Sequence, residues 1–120
     1  MFTARVEADF AAAHFLSHYR GKCEKLHGHN YKVRVYAKGR GLDEGGMLLD
    51  FGLLKTALRE VLGQLDHSLL NDMAVFKNDP SAERIAKYIF DEIQKKLPDA
   101  PLSAVEVFET ETSMARYEKD

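Results

Sequence analysis

The sequence has no tryptophan, only three prolines and a single cysteine among its 120 residues. One cysteine excludes an internal disulfide and fits a reducing compartment, where a lone thiol stays free to react. An excess of charge is missing too: 19 acidic residues face 17 basic ones, and no basic run stands out. Non-specific nucleic-acid binding therefore has no electrostatic footprint. No apolar run approaches the ~20 residues needed to cross a bilayer. The opening MFTARVEADF is broken by charges and cannot form the apolar stretch of a secretion signal. The expectation is a cytoplasmic protein with no membrane and no nucleic-acid partner. Repeats, low-complexity tracts and Ser/Pro-rich linkers are also absent. What remains is an ordinary globular composition, 45 % hydrophobic, at a length that suits one domain over residues 1–120. Such a chain buries somewhat under ~70 % of its unfolded surface, enough to fold without disulfides.

Hydrophobic period divides the chain into elements. Residues 3–15 alternate, with Val6, Ala8, Phe10, Ala12 and His14 on one parity and Arg5, Glu7 and Asp9 on the other, which predicts a half-buried strand. A polar loop over 16–26 carries Cys23. Residues 27–38 alternate again, with Tyr31, Val33 and Val35 opposite Lys32, Arg34 and Tyr36. Glycines 39, 41, 45 and 46 then mark an irregular turn. Asp50 is placed to cap a helix whose apolar positions Leu54, Ala57, Leu58, Val61, Leu62 and Leu65 keep the 3.6-residue period. Asp79-Pro80-Ser81 starts a second helix with the stripe Ile85, Ile89, Phe90 and Ile93, which Pro98 stops. Strands over 102–110 and 113–119 complete a ββααββ order. Hairpins with grouped helices between them predict an α+β fold, a four-stranded antiparallel sheet with both helices on one face. The opposite, charged face suits water or a polar channel. Both sheet edges would be bare in a lone subunit, a liability that closure into a barrel of subunits removes.

Cys23-Glu-Lys-Leu-His27-Gly-His29 is the most chemically loaded stretch. In an extended chain His27 and His29 leave the same face and can reach one metal ion together. Gly28 between them adds no side chain and leaves room for another group. With His14 at the end of the preceding strand, three imidazoles and an open position match a catalytic zinc site. The alternative is three strand histidines with ordinary hydrogen-bond partners. Because these histidines share parity with the apolar positions, a bulge or a strand-end position is needed to turn them into a pocket. Cys23 has three possible parts: fourth zinc ligand, inert buried thiol or base.

Taken in order, Ala-Ala-His14, Cys23-x3-His27-Gly-His29-Asn-Tyr, Gly46-Met-Leu-Leu-Asp50-Phe, Leu65-Asp66-His67, Leu70-Asn71 and Val107-Phe-Glu109-Thr110 resemble the 6-pyruvoyltetrahydropterin synthase and 6-carboxytetrahydropterin synthase family over nearly the whole chain. The resemblance implies the T-fold (tunnelling fold), in which subunits close a barrel as a trimer or dimer of trimers with active sites between them. Three residues separate Cys23 from His27, as in the bacterial carboxy-forming members of queuosine biosynthesis; the pyruvoyl-forming animal members use five. The short loop between His14 and Cys23 and the Glu109-Thr-Glu-Thr-Ser113 ending also resemble the bacterial type.

What the resemblance implies is a zinc-dependent carbon–carbon lyase. It would convert 7,8-dihydroneopterin triphosphate to 6-carboxy-5,6,7,8-tetrahydropterin, acetaldehyde and triphosphate. One rival is the pyruvoyl-forming reaction, which eliminates triphosphate without C–C cleavage; another is a non-catalytic pterin- or metal-binding protein on the same fold. His14, His27 and His29 would ligate Zn2+, and Cys23 would stand beside it as the general base, since a nearby dication favours the thiolate. Asp66 and His67 would form the second half of the acid–base system, the carboxylate fixing the imidazole's tautomer and favouring its protonated form; the alternative is a helix cap with an exposed histidine. Glu109 would anchor the pterin by accepting two parallel N–H bonds. Ser81 and Glu83 fall where family members contact the ring, though first-turn residues have capping reasons of their own. His18, Lys22 and Lys25 lie near enough along the chain to meet the triphosphate.

Overall fold

A computed structural model describes residues 1–120. Two long strands form its spine: β1 (Phe2–His14) and β2 (His27–Gly39) pair antiparallel along their whole length, from Phe2 opposite Gly39 to His14 opposite His27. The helix α1 (Phe51–Leu65) follows, then a two-residue strand β3 (Ser68–Leu69), then α2 (Ala82–Lys96), β4 (Leu102–Thr110) and β5 (Ser113–Glu118). The sheet order is β3-β1-β2-β4-β5. Every pairing is antiparallel except β1–β3, where Ala12 and Ala13 meet Ser68 and Leu69 in parallel. The expected four strands are therefore five. Two residues are too few to carry an alternating pattern, so β3 left no signal in the sequence.

Both helices start where capping chemistry puts them. The Asp50 carboxylate accepts from Gly52 N, and the Ser81 hydroxyl accepts from Arg84 N, each satisfying an N–H that has no partner inside the helix. α2 ends at Lys96, just ahead of Pro98. The apolar stripes of both helices lie on one face of the sheet, against Val6, Phe10, Tyr31, Val33, Val35, Val105 and Val107. Each such fully buried side chain contributes about 1.5–3 kcal/mol. No helix is long and apolar enough to cross a membrane.

The other face carries the charges, and they are cross-linked. Arg34 Nε donates to Glu7 Oε1 at 2.7 Å, and Glu106 accepts from both Tyr36 Oη at 2.6 Å and Arg116 Nη1 at 2.9 Å. Both long edges stay open, since β3 covers only Ala12 and Ala13 of β1 and nothing pairs with the outer side of β5.

Candidate active site

β1 and β2 end together, and the site is built on those ends. His14 stands directly opposite His27 in the last rung, and small Ala12 stands opposite His29. Residues opposite one another, or two apart along one strand, converge on one face. The ring centroids are 4.7 Å (His14–His27), 5.0 Å (His14–His29) and 4.8 Å (His27–His29) apart. One ligand atom of each histidine lies within 4.8 Å of those of the other two. No bulge is involved. The apolar stripe stops at the stacked pair Phe10 and Tyr31, and the histidines continue the same parity beyond it, so the strand end alone makes the pocket.

Hydrogen bonding sets the tautomers. His14 Nδ1 lies 2.9 Å from Pro80 O, and His27 Nδ1 lies 2.8 Å from Lys25 O. A carbonyl only accepts, so the neutral form of each ring carries its proton on Nδ1 and presents its lone pair at Nε2. The Nε2 atoms of His14 and His29 are buried without a hydrogen-bond partner. Buried polar atoms left unpaired cost free energy, and two beside each other call for a shared cation. Burial lowers the His29 pKa against the opposing pull of Glu109, a shift toward the neutral ring that a metal ligand uses. The donor set fits a metal held by three imidazoles with coordination room to spare.

Glu109 links this group to a second one. It sits where β4 and β5 slip register between Phe108 and Thr110, and such a bulge re-aims a side chain. Its carboxylate reaches to 3.5 Å from His29 Nε2 and 3.9 Å from His14 Nε2. The same carboxylate lines a recess of about 220 Å³ with Ser81, Glu83, Leu16 and Met114. The three residues expected at the substrate ring thus share one recess beside the histidines. It is smaller than the ~300–1,000 Å³ of complete small-molecule pockets. Ser81 also serves as the α2 cap described above.

The expected acid–base residues stand apart from the histidines. Cys23 is exposed on its loop and is not one of the converging ligands. Asp66 closes α1, its N–H donating to Leu62 O, while its carboxylate accepts from Ala11 N at 2.9 Å and faces His67 Nδ1 at 2.9 Å. The Ala11 N–H, and then His67, hold the Asp66 carboxyl below the usual carboxylate range. His67 takes a left-handed φ of 56° and donates its own N–H to Ala11 O. Cap and oriented pair are therefore one feature, pinned to the open edge of β1 with the His67 side chain 84 % exposed. An open recess of about 540 Å³ runs past Ala13, Gly28, His29 and His67. A Cβ on Gly28 would meet only Ala12 O at 3.5 Å, so no group of this chain uses the room that glycine leaves. His18 is bound to Asp79; Lys22 and Lys25 are exposed.

Two participants were absent from the sequence reading. Tyr31 floors the histidine group, its ring centroid 5.4 Å from that of His29, with its hydroxyl buried and unpaired; burial pushes its pKa far above the phenol range. Strand parity with His29 was its available signal. Pro80 orients His14 through a carbonyl, and a backbone contact across 66 positions leaves no mark in sequence.

Comparison with known proteins identifies a family for the chain and its fold. The sequence model of the family described as 6-pyruvoyl tetrahydropterin synthase matches residues 3–120. A Synechocystis protein named 6-carboxy-5,6,7,8-tetrahydropterin synthase is 43 % identical over 117 residues, 92 % of this chain and 88 % of its own. The human 6-pyruvoyl tetrahydrobiopterin synthase is 39 % identical over 102 residues, 81 % of this chain and 70 % of its own. The structure of the Caenorhabditis elegans 6-pyruvoyl tetrahydropterin synthase superposes with a TM-score of 0.86 at 29 % identity, covering 99 % of this chain and 96 % of that one.

Proposed function

This chain belongs to the 6-pyruvoyl tetrahydropterin synthase family as a pterin synthase, and we propose that it is the carboxy-forming lyase of the queuosine pathway. Its substrates are 7,8-dihydroneopterin triphosphate and water, and its products are 6-carboxy-5,6,7,8-tetrahydropterin, acetaldehyde and triphosphate. The observation that carries a metal-dependent reading is the pair of buried, unpartnered Nε2 atoms on His14 and His29. The carboxy-forming choice is supported by the three-residue spacing from Cys23 to His27 and by the name of the Synechocystis relative.

His14, His27 and His29 would hold a zinc ion. When bound, zinc supplies Lewis acidity to the hydroxyls of the substrate side chain, so that neighbouring C–H protons come off more easily. Cys23 takes such a proton as the general base. Asp66 holds His67 as the partner acid and base, and Glu109 fixes the pterin edge through paired hydrogen bonds, with Ser81 and Glu83 beside the ring. His18, Lys22 and Lys25 face the triphosphate. Subunits join through the open edges of β1 and β5 into a closed barrel, as a trimer or a dimer of trimers. In that assembly Asp66 and His67 of one subunit serve the Cys23 of a neighbour, which accounts for their outward placement.

The pyruvoyl-forming reaction is the other reading with an observation behind it, the 39 % identity to the human protein. Mass spectrometry of the products from dihydroneopterin triphosphate separates the two. We expect 6-carboxytetrahydropterin with stoichiometric acetaldehyde; a product that retains the three-carbon side chain would overturn the assignment.

A further inference from the structure

The loop carrying Cys23 leaves β1 at Phe15 and rejoins the sheet at His27. Its first residues are fixed almost wholly by one distant segment, Asn71 to Pro80. Phe15 is gripped on both sides: its N–H donates to Asn71 Oδ1 at 3.0 Å, and its carbonyl accepts from Asn71 Nδ2 at 2.8 Å. Asp79 Oδ1 accepts from the N–H groups of Ser17 at 2.6 Å and His18 at 3.1 Å, while Oδ2 faces His18 Nδ1 at 2.7 Å. The Ser17 hydroxyl donates to Asn78 O at 2.8 Å. Farther along the loop, Glu24 folds back on the same anchor. Leu16 N donates to Glu24 Oε1 at 2.9 Å, and Glu24 N donates to Leu16 O at 2.8 Å. Cys23 is thus one residue from a tie to Leu16, which lies between the gripped Phe15 and Ser17.

The same turn also contacts one of the three converging histidines. Pro80, next to Asp79, accepts from His14 Nδ1 at 2.9 Å, the kind of outer contact that orients a ligating imidazole. The backbone there is strained: Lys77 and Asn78 both take left-handed conformations, with φ of 51° and 62°. Such conformations in non-glycine residues persist only where their surroundings enforce them. Here Arg84 Nη1 grips Phe76 O at 2.7 Å, and Asn71 Nδ2 grips Asn78 Oδ1 at 3.1 Å.

We propose that Asp79 is a positioning residue that, through the turn it shares with Pro80, sets the Cys23 loop at a fixed spacing from the His14–His27–His29 group. The proposal rests on the reading of Cys23 as a base beside a bound metal. It differs from simple loop anchoring in one consequence: the thiol senses the metal only while Asp79 holds the turn and the loop together.

Cys23 is the single cysteine, so iodoacetamide labelling at fixed pH reports on it alone. Labelling is measured with zinc bound and after chelation. A dication at a set spacing shifts the balance between thiol and thiolate, so zinc should change the native rate by about threefold or more. In Asp79→Ala, zinc content should stay native while the effect of zinc on labelling disappears and kcat falls about tenfold at unchanged KM. Asp79→Asn, whose amide oxygen still accepts from Ser17 and His18, should restore most of the coupling. His18→Ala removes one of the three Asp79 contacts from a side chain 82 % exposed, which spares the core, and should lose part of the coupling with zinc retained. An undiminished zinc effect in Asp79→Ala overturns the proposal, whatever His18→Ala shows. A native chain whose labelling ignores zinc overturns instead the placement of Cys23 beside the metal, and the proposal with it.

Discussion

His14, His27 and His29 occupy the last rungs of a ladder between two 13-residue strands, whereas Cys23 hangs on an exposed loop and Asp66 and His67 hang on an open edge. The ligand end is a product of regular structure. Backbone pairing spaces the three imidazoles, two carbonyls fix two of their tautomers, and the hydrophobic stack of Phe10 and Tyr31 supports them from below. The residues proposed for proton transfer are held by single contacts instead of a ladder, the Cys23 loop by Asn71 and Asp79 and the Asp66–His67 pair by Ala11, and both Cys23 and His67 lie exposed. Holding a metal requires convergence of a few groups on one point, which a single subunit's strands supply. In the assembly proposed above, proton transfer to a substrate lodged between subunits would use groups that face outward from each chain, as Cys23 and His67 do.

The largest effect that tests this contrast is loss of the metal. Replacing His14, His27 and His29 together by alanine should abolish zinc binding in metal analysis of the purified protein, with the secondary structure retained by circular dichroism. Zinc occupancy equal to the native value would show that the strand ends are not the ligand end.

The next effect is on turnover. Cys23→Ala and His67→Ala should each lower kcat by roughly 10²–10⁴-fold, the usual worth of a positioned acid or base, while keeping their zinc. Mixing the two after unfolding and reassembly should then recover activity, approaching about a quarter of native for random pairing across a shared interface. Recovery would mean that each site draws its two proton-transfer groups from different chains. A mixture no more active than its components would place the whole acid–base system in one subunit and break the contrast.

The smallest effect concerns the Asp66 anchor at the edge of β1. Its carboxyl is held below the usual range, chiefly by the Ala11 N–H and next by His67. A depressed folded-state value means that the ionised form stabilises the fold. That contribution is complete above the ordinary carboxylate range and is lost as pH falls through the depressed folded value. Asp66→Asn should therefore lower the urea midpoint slightly at neutral pH and match the native chain once both are strongly acidified. A difference that persists unchanged into acid would assign the anchor to shape rather than charge.

Much of the fold was legible because its elements are long and regularly patterned. The two helices came from 3.6-residue stripes and from Asp50 and Ser81 as caps, and the four main strands from alternation; boundaries fell within a residue or so of those observed. The segment between the helices was not legible. β3 is two residues long, the turns at Leu70–Asp72 and Ala74–Phe76 are single turns of 3-10 helix, and Lys77 and Asn78 are left-handed. None of these repeats long enough to show a period, and much of the segment is fixed from far along the chain: Ala12 and Ala13 pair with β3, Phe15 is bound to Asn71 and Ser17 to Asp79. Within the site, the histidine spacing could be read from strand geometry, whereas the part played by the Pro80 carbonyl could not.

Residue type and local period were enough to single out the candidates for chemistry, the face each strand would bury and the family the motifs resemble. Tertiary structure decided how far apart those residues stand and which way they turn. Closing β1 against β2 brought His14 across from His27, the bulge at Glu109 aimed its carboxylate at the histidines, and the strained turn at Lys77–Pro80 tied the Cys23 loop to His14. Distances between groups far apart in the chain depend on the whole packed core, and no local pattern encodes them.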